Sequence, residues 1–150
     1  MTAVVVRDGR LLRGADPAEV WALVADPART EAWAPIHSAG FLGTELPGVG
    51  HTVFVRFNRL GDPKNALRFR ITEWDAGHRY RTEIDGIRLG TNHRLDVIVT
   101  AEVDDGVPAA DLELRYFAEV PSAAAPTFRW WVRTRLARAV AGVADMVGGP

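Results

Sequence analysis

An alternation of apolar and polar residues, repeated in five successive segments, most constrains how this chain folds. Val53, Val55 and Phe57 alternate with Phe54, Arg56 and Asn58, and Leu67, Phe69 and Ile71 with Arg68, Arg70 and Thr72. Tyr80, Thr82 and Ile84 interleave with Arg79, Arg81 and Glu83. His93, Leu95, Val97, Val99 and Ala101 continue the pattern, followed by Leu112, Leu114 and Tyr116. In an extended chain successive side chains leave opposite faces, so this period predicts an antiparallel sheet with one covered and one wet face. Pro47-Gly48-Val49-Gly50, Gly61-Asp62-Pro63-Lys64-Asn65, Ala76-Gly77 and Asp104-Asp105-Gly106 supply turns between the segments. Residues 3–13 and 38–43 read as two further strands, which makes seven.

Helical signals flank this region. Asp16-Pro17-Ala18-Glu19 carries an N-cap, a proline at the first helical position and a glutamate three residues after the cap. Val20, Trp21, Leu23 and Val24 give that short helix its apolar face. Asp26-Pro27 repeats the signal for a second short helix through about Trp33, ended by Pro35. From about Pro126 to Met146 a third helix places Phe128, Val132, Leu136, Ala139, Val143 and Met146 in one stripe, with Trp131 on its border. One long helix must cover one long sheet, because nothing else in the chain is long enough to do so. The expected class is α+β, with no repeat or linker to divide residues 1–150 into more than one domain.

Composition narrows the function. A formal net charge of −1 offers no basic field for phosphates, so nucleic acid is not an expected partner. The absence of cysteine removes disulfides, thiolate metal sites and a Cys nucleophile. His37, His51, His78 and His93 show no metal-ligand spacing with carboxylates, and Ser38 and Ser122 lack a nucleophile-elbow context. The residues between Gly43 and Gly50 lack the ending of a phosphate loop. No metal, cofactor or covalent nucleophile is expected. Charge at Arg7 and Asp8 comes too early for a signal peptide, and no apolar run approaches the roughly 18 residues of a membrane span. The expected location is cytoplasmic, and the usage of Ala, Arg, Val and Gly with one lysine hints at a bacterial source.

The order strand, two short helices, six strands, long helix resembles the START-like (SRPBCC, helix-grip) superfamily, specifically its polyketide cyclase/dehydrase and lipid-transport branch. The resemblance spans nearly the whole chain. It is carried by Ala15-Asp16-Pro17-Ala18-Glu19-Val20-Trp21, Ala25-Asp26-Pro27, Glu31-Ala32-Trp33-Ala34-Pro35, the turn at Pro47–Gly50, and Ile71-Thr72-Glu73-Trp74-Asp75. It implies a helix-grip fold, in which a curved seven-stranded sheet and the long helix enclose an apolar cavity with the short helices at its mouth. It does not imply one activity, because the superfamily includes cyclases, carriers, receptors and stress proteins.

Within such a fold, inward parity selects the walls: Val53, Val55, Phe57, Leu67, Phe69, Ile71, Leu95, Val97, Leu112 and Leu114 from the sheet, and Phe128, Trp131 and Val132 from the helix. The same residues would also fill a solid core. The polar exceptions point to chemistry. Arg135 falls about 20° from Phe128 on the helical wheel, inside the apolar stripe. A buried guanidinium stays charged and needs a partner, either an anionic ligand group or Glu73, which shares the inward parity. His93 shares the parity of Leu95 and Val97; it is either a proton-transfer group or a core histidine bonded to backbone. Tyr80, Thr82 and Tyr116 can hydrogen-bond a ligand carbonyl. His51 and Arg59, at opposite ends of one strand, either rim an entrance or are exposed strand ends. Trp33 and His37 occupy the mouth, where Trp33 serves as lid or as anchor. Trp130 faces away from Phe128 among Ala137, Ala141 and Ala144, a face suited to a homodimer contact.

Three readings follow. In the first, the chain is a cofactor-independent polyketide cyclase or dehydratase of natural-product biosynthesis. His93 then transfers the proton, Arg135 stabilises the anion, and Tyr80 and Tyr116 orient a polyketide-like or lipid-like substrate. In the second it is a carrier or sensor of a lipid-like or aromatic metabolite. In the third it is a solid-cored interaction module, marked by an enclosed volume below about 300 Å³.

Overall fold

Asp16 and Asp26 start the two N-terminal helical pieces as their sequence contexts require. Asp16 Oδ1 accepts the Ala18 amide at 2.9 Å and Asp26 Oδ1 accepts that of Ala28 at 3.0 Å. Both prolines sit where a missing N–H costs nothing. The first piece is α1 (Pro17–Val24). The second is shorter than its signal promised: a 3₁₀ turn at Pro27–Arg29 runs into one turn of α-helix, α2 (Thr30–Trp33). The computed structural model describes residues 1–36, 38–42, 48–56 and 67–147.

Seven strands form one antiparallel sheet among the described residues. They are β1 (Thr2–Arg13), β2 (Ser38–Leu42), β3 (Thr52–Arg56), β4 (Leu67–Asp75), β5 (Arg79–Asp85), β6 (Thr91–Asp104) and β7 (Val107–Val120). Their spatial order is β1-β7-β6-β5-β4-β3-β2. The helical stretch after β1 therefore carries the chain to the opposite edge, and the remaining strands return by hairpins until β7 pairs with β1. The sheet is curved, and the long helix α3 (Ala125–Met146) lies mainly across β1 and β7. This is the helix-grip arrangement.

Inward parity holds where the ladders are regular. Val97, Leu112 and Leu114 are at most 1% exposed, and Phe69 is half-buried against the core. On α3, Phe128, Val132, Leu136, Ala139 and Val143 are buried, as the stripe predicts, whereas Met146 is exposed. The Trp130 face is less continuous than its wheel suggests: Trp130 is 64% exposed, but Ala144 is buried in the core.

Parity fails once. The β4–β5 register shifts between Ile71 and Glu73, so that Ile71 faces Thr82 while Trp74, not Glu73, faces Tyr80. A bulge adds one residue to one strand and reverses the faces beyond it. Trp74 consequently turns inward, meeting Trp21 of α1 at 5.2 Å edge-on and Tyr80 at 5.8 Å stacked. Glu73 turns outward to Arg79 at 2.9 Å and Arg81 at 3.6 Å. There it joins a charged ladder that includes Arg81–Asp96 at 2.7 Å and Arg70–Glu83 at 3.0 Å. These pairs are partly or largely exposed, and each adds little to stability.

The backbone of α2 touches α3 at Gly142. A Cβ placed there would collide with the Trp33 carbonyl oxygen and lie 3.0 Å from its carbon. Alanine is favoured over glycine inside a helix by about 1 kcal/mol. The contact is with backbone, which cannot rotate aside, so the clash should win. Gly142→Ala is expected to destabilise the fold by about 1–3 kcal/mol, lowering Tm by several degrees. A melting curve equal to or above wild type would show that α2 does not bear on α3 this closely.

Candidate functional site

Between the concave sheet face, α3 and the segment from Val24 to Ile36 lies a partly open cavity of about 140 Å³ with an almost wholly apolar wall. Its lining includes fourteen of the residues selected from sequence. Val53, Val55, Leu67, Phe69, Ile71, Thr82, Leu95 and Leu114 come from the sheet, Tyr80 and Tyr116 also from strands, Trp131, Val132 and Arg135 from α3, and Trp33 from α2. Ile84, Ile87, Leu136 and Ala139 also line it, with Val24, Ala25, Pro27, Thr30 and Ala34 to Ile36 on the helical side. Ile84 has the parity of Thr82 and could have been chosen on that ground. Ile87, in the loop after β5, has no periodic signal. His37, Phe57 and Arg59 lie outside the described residues.

The volume falls below the roughly 300 Å³ of pockets for drug-sized ligands. It is close to that of an engineered apolar cavity of about 150 Å³ that admits benzene. As it stands, the space accepts one ring. By size alone it falls on the side of the solid-cored reading, but a core of interlocking side chains would not leave a partly open void of this size.

Other selected residues lie elsewhere: Val97 and Leu112 are buried in the core outside the wall. Glu73 is carried to the outer face by the bulge and does not approach Arg135. Phe128 is 6% exposed but not part of the wall; it stacks on Trp131 at 5.9 Å and meets His93 edge-on at 5.6 Å. His93 is 5% exposed and also not part of the wall; it contacts the cavity-lining Tyr116. His51, expected at a rim or an exposed strand end, is 3% exposed, and its carbonyl accepts the Ile71 amide at 2.9 Å.

Three hydroxyl groups in the wall, those of Tyr80, Thr82 and Tyr116, are already hydrogen-bonded within the protein. Tyr80 Oη donates to the Val24 carbonyl at 2.6 Å, tying the end of α1 to the sheet. Thr82 Oγ1 donates to the Leu95 carbonyl at 3.3 Å. Tyr80 is therefore not the free orienting donor expected from sequence; toward a ligand it offers lone pairs. Tyr116 Oη lies 2.8 Å from His93 Nδ1, and His93 Nε2 lies 2.7 Å from the Leu89 carbonyl. A carbonyl can only accept, so Nε2 carries the hydrogen. In the neutral ring Nδ1 is then the acceptor and Tyr116 donates to it. Burial lowers the His93 pKa from its ordinary 6.5, with backbone at Leu89 and Gly90 pulling the other way, and burial raises both tyrosines above the usual phenol range.

Arg135 is the one charged side chain in the described wall. Its guanidinium lies 4.4 Å over the Trp131 ring, and Nη1 donates to the Pro35 carbonyl at 3.3 Å. Burial and the neighbouring charge of Arg138 lower its pKa. An anionic group entering the cavity would relieve both effects. Trp33 is also set into the wall, and its buried Nε1 has no hydrogen-bond partner among the described residues. No cluster of metal-ligating side chains occurs among the described residues, and no helix there is long and apolar enough to cross a membrane.

Solved structures share this architecture. A norcoclaurine synthase point mutant from Thalictrum flavum, in complex with a transition-state analogue, matches with a TM-score of 0.71 at 15% identity, covering 97% of this chain and 94% of its own. A protein from Thermobifida fusca matches with a TM-score of 0.77 at 19% identity, covering 96% and 93%. One from Chromobacterium violaceum matches with a TM-score of 0.65 at 20% identity, covering 97% and 98%. At these identities the likeness is one of fold. No curated protein matches the chain significantly. The family described as polyketide cyclase / dehydrase and lipid transport matches residues 6–148, nearly the whole sequence, and the chain belongs to that family.

Proposed function

We propose that this protein is a cofactor-independent enzyme of the cyclase/dehydratase type, acting on a small enolisable carbonyl compound. Arg135 carries the reading. A cation held in an otherwise apolar wall is placed to stabilise an enolate, whose charge develops as the reaction proceeds, more than the neutral ketone that precedes it. The apolar walls would fold a short dicarbonyl chain on itself, which supplies proximity without covalent chemistry. The size of the cavity limits the product to about one ring unless the mouth widens. A biosynthetic role and a cytoplasmic location accord with the family and the sequence, and remain part of this proposal.

A carrier or sensor role for a single-ring metabolite is the second reading. The committed protons of Tyr80 and Thr82 favour it, because such hydroxyls can orient a ligand without reacting with it. Incubation with heptane-2,6-dione separates the two. Its intramolecular aldol condensation forms one six-membered enone with loss of water, visible by mass spectrometry. Enzyme-dependent appearance of that enone supports catalysis; recovery of bound, unchanged dione supports carriage.

Arg135 is tested by charge. Arg135→Gln should weaken benzoate binding by about 10–100-fold, the range for hydrogen bonds to a charged group, while leaving neutral acetophenone nearly unaffected. Equal losses for both ligands in a calorimetric titration would mean that Arg135 shapes the cavity rather than binding an anion.

A further inference from the structure

We infer that Tyr116 and His93 form a two-residue proton relay, in which Tyr116 faces the ligand and His93 acts only through it. The inference deepens the proposed enzymatic reading and rests on it. Three observations carry it: Tyr116 lines the cavity while His93 does not, the two groups are 2.8 Å apart, and the far nitrogen of His93 is anchored at 2.7 Å to the Leu89 carbonyl.

The anchor gives the pair two states of opposite polarity. With His93 neutral, Nε2–H donates to Leu89, Nδ1 accepts the Tyr116 proton, and the Tyr116 oxygen can only accept from the cavity. With His93 protonated, Nδ1–H donates to Tyr116, whose own O–H is released to donate toward the ligand. The hydrogen bond to Leu89 is kept in both states, so the ring need not turn.

The proton balance is closed. A C–H bond next to a ligand carbonyl breaks, its proton bonds to the Tyr116 oxygen, and the Tyr116 proton passes to His93 Nδ1. The electron pair stays on the ligand as an enolate facing Arg135, and His93 becomes an imidazolium. The reverse transfer lets the same pair protonate the alkoxide formed by aldol addition, or hydroxide as it leaves. Tyr116 is the catalytic residue; His93 is a positioning residue and proton store.

Among the described residues, the groups packed on the imidazole are Tyr116 of β7, Phe128 of α3 and the backbone at Leu89 and Gly90, and no side-chain charge there contributes to its shift. Burial therefore governs its protonation and favours the neutral ring. The relay is ready as a base under ordinary conditions.

Acetophenone, a single-ring ketone, is a direct probe. Deuterium uptake at its methyl group in D₂O, followed by proton NMR, reads enolisation without requiring the natural substrate. Wild type should accelerate uptake, and Tyr116→Phe and His93→Gln should each reduce the acceleration by about 10²–10⁴-fold. Wild-type uptake should decline only as pH falls below the ordinary histidine range, and this inflexion should vanish in His93→Gln. A purely structural role for His93 would leave the inflexion in place. If either variant fails to fold, ¹⁵N NMR of wild-type His93 still decides: the neutral ring must carry hydrogen on Nε2, and hydrogen on Nδ1 overturns the relay. Uptake unchanged in both variants, or no acceleration by a wild type that binds acetophenone, also overturns it. Failure to bind acetophenone, seen as unshifted side-chain signals of Phe69, Ile71 and Leu114, instead counts against the cavity reading itself.

Discussion

The structure depends on a mismatch of widths. Seven strands about 4.8 Å apart span roughly 29 Å, while one helix with its side chains is about 10–12 Å across. A helix laid on β1 and β7 cannot also cover the strands near the other edge. Sheet curvature and the segment from α1 to Ile36 close part of the remaining gap, and what they leave is the cavity. Gly142 sets how closely this closure is drawn, because it lets the backbone of α2 rest directly on α3.

A cavity made this way is apolar by default, since its walls are the surplus of a core. Its chemistry comes from a few polar groups and from what those groups are already bonded to. Tyr80 and Thr82 donate hydrogen bonds to backbone carbonyls, which holds them rigid and leaves them as acceptors toward a ligand. Tyr116 donates its hydrogen bond to a histidine. Arg135 brings a positive charge at a desolvation cost that an anion would offset. An acceptor that can become a donor, opposite a cation, is an arrangement suited to forming and quenching an enolate.

The two faces of the sheet divide the charges. On the outer face arginines and carboxylates form cross-strand pairs in water, where each contributes little, while the inner face keeps a single guanidinium in its described wall. The bulge in β4 maintains this division. Without it Glu73 would point into the interior and Trp74 into solvent; with it Trp74 joins Trp21 and Tyr80 to attach α1 to the sheet.

The sequence by itself determined the α+β class, the strand faces, the capped helix starts and most of the cavity wall, because these follow from local periodicity and local hydrogen bonding. Val97 and Leu114 point inward for the same reason that any residue two positions along a strand does. Tertiary structure decided what periodicity cannot encode. A bulge reverses parity without changing composition, so Glu73 looked inward until the register was known. Depth along the inward direction is also invisible to a period of two: His93 and Tyr116 share a parity, yet only Tyr116 reaches the cavity. Hydroxyl protons are assigned by partners far away in sequence, as Val24 is from Tyr80, and the cavity volume is a difference between large packed shapes that no single segment carries.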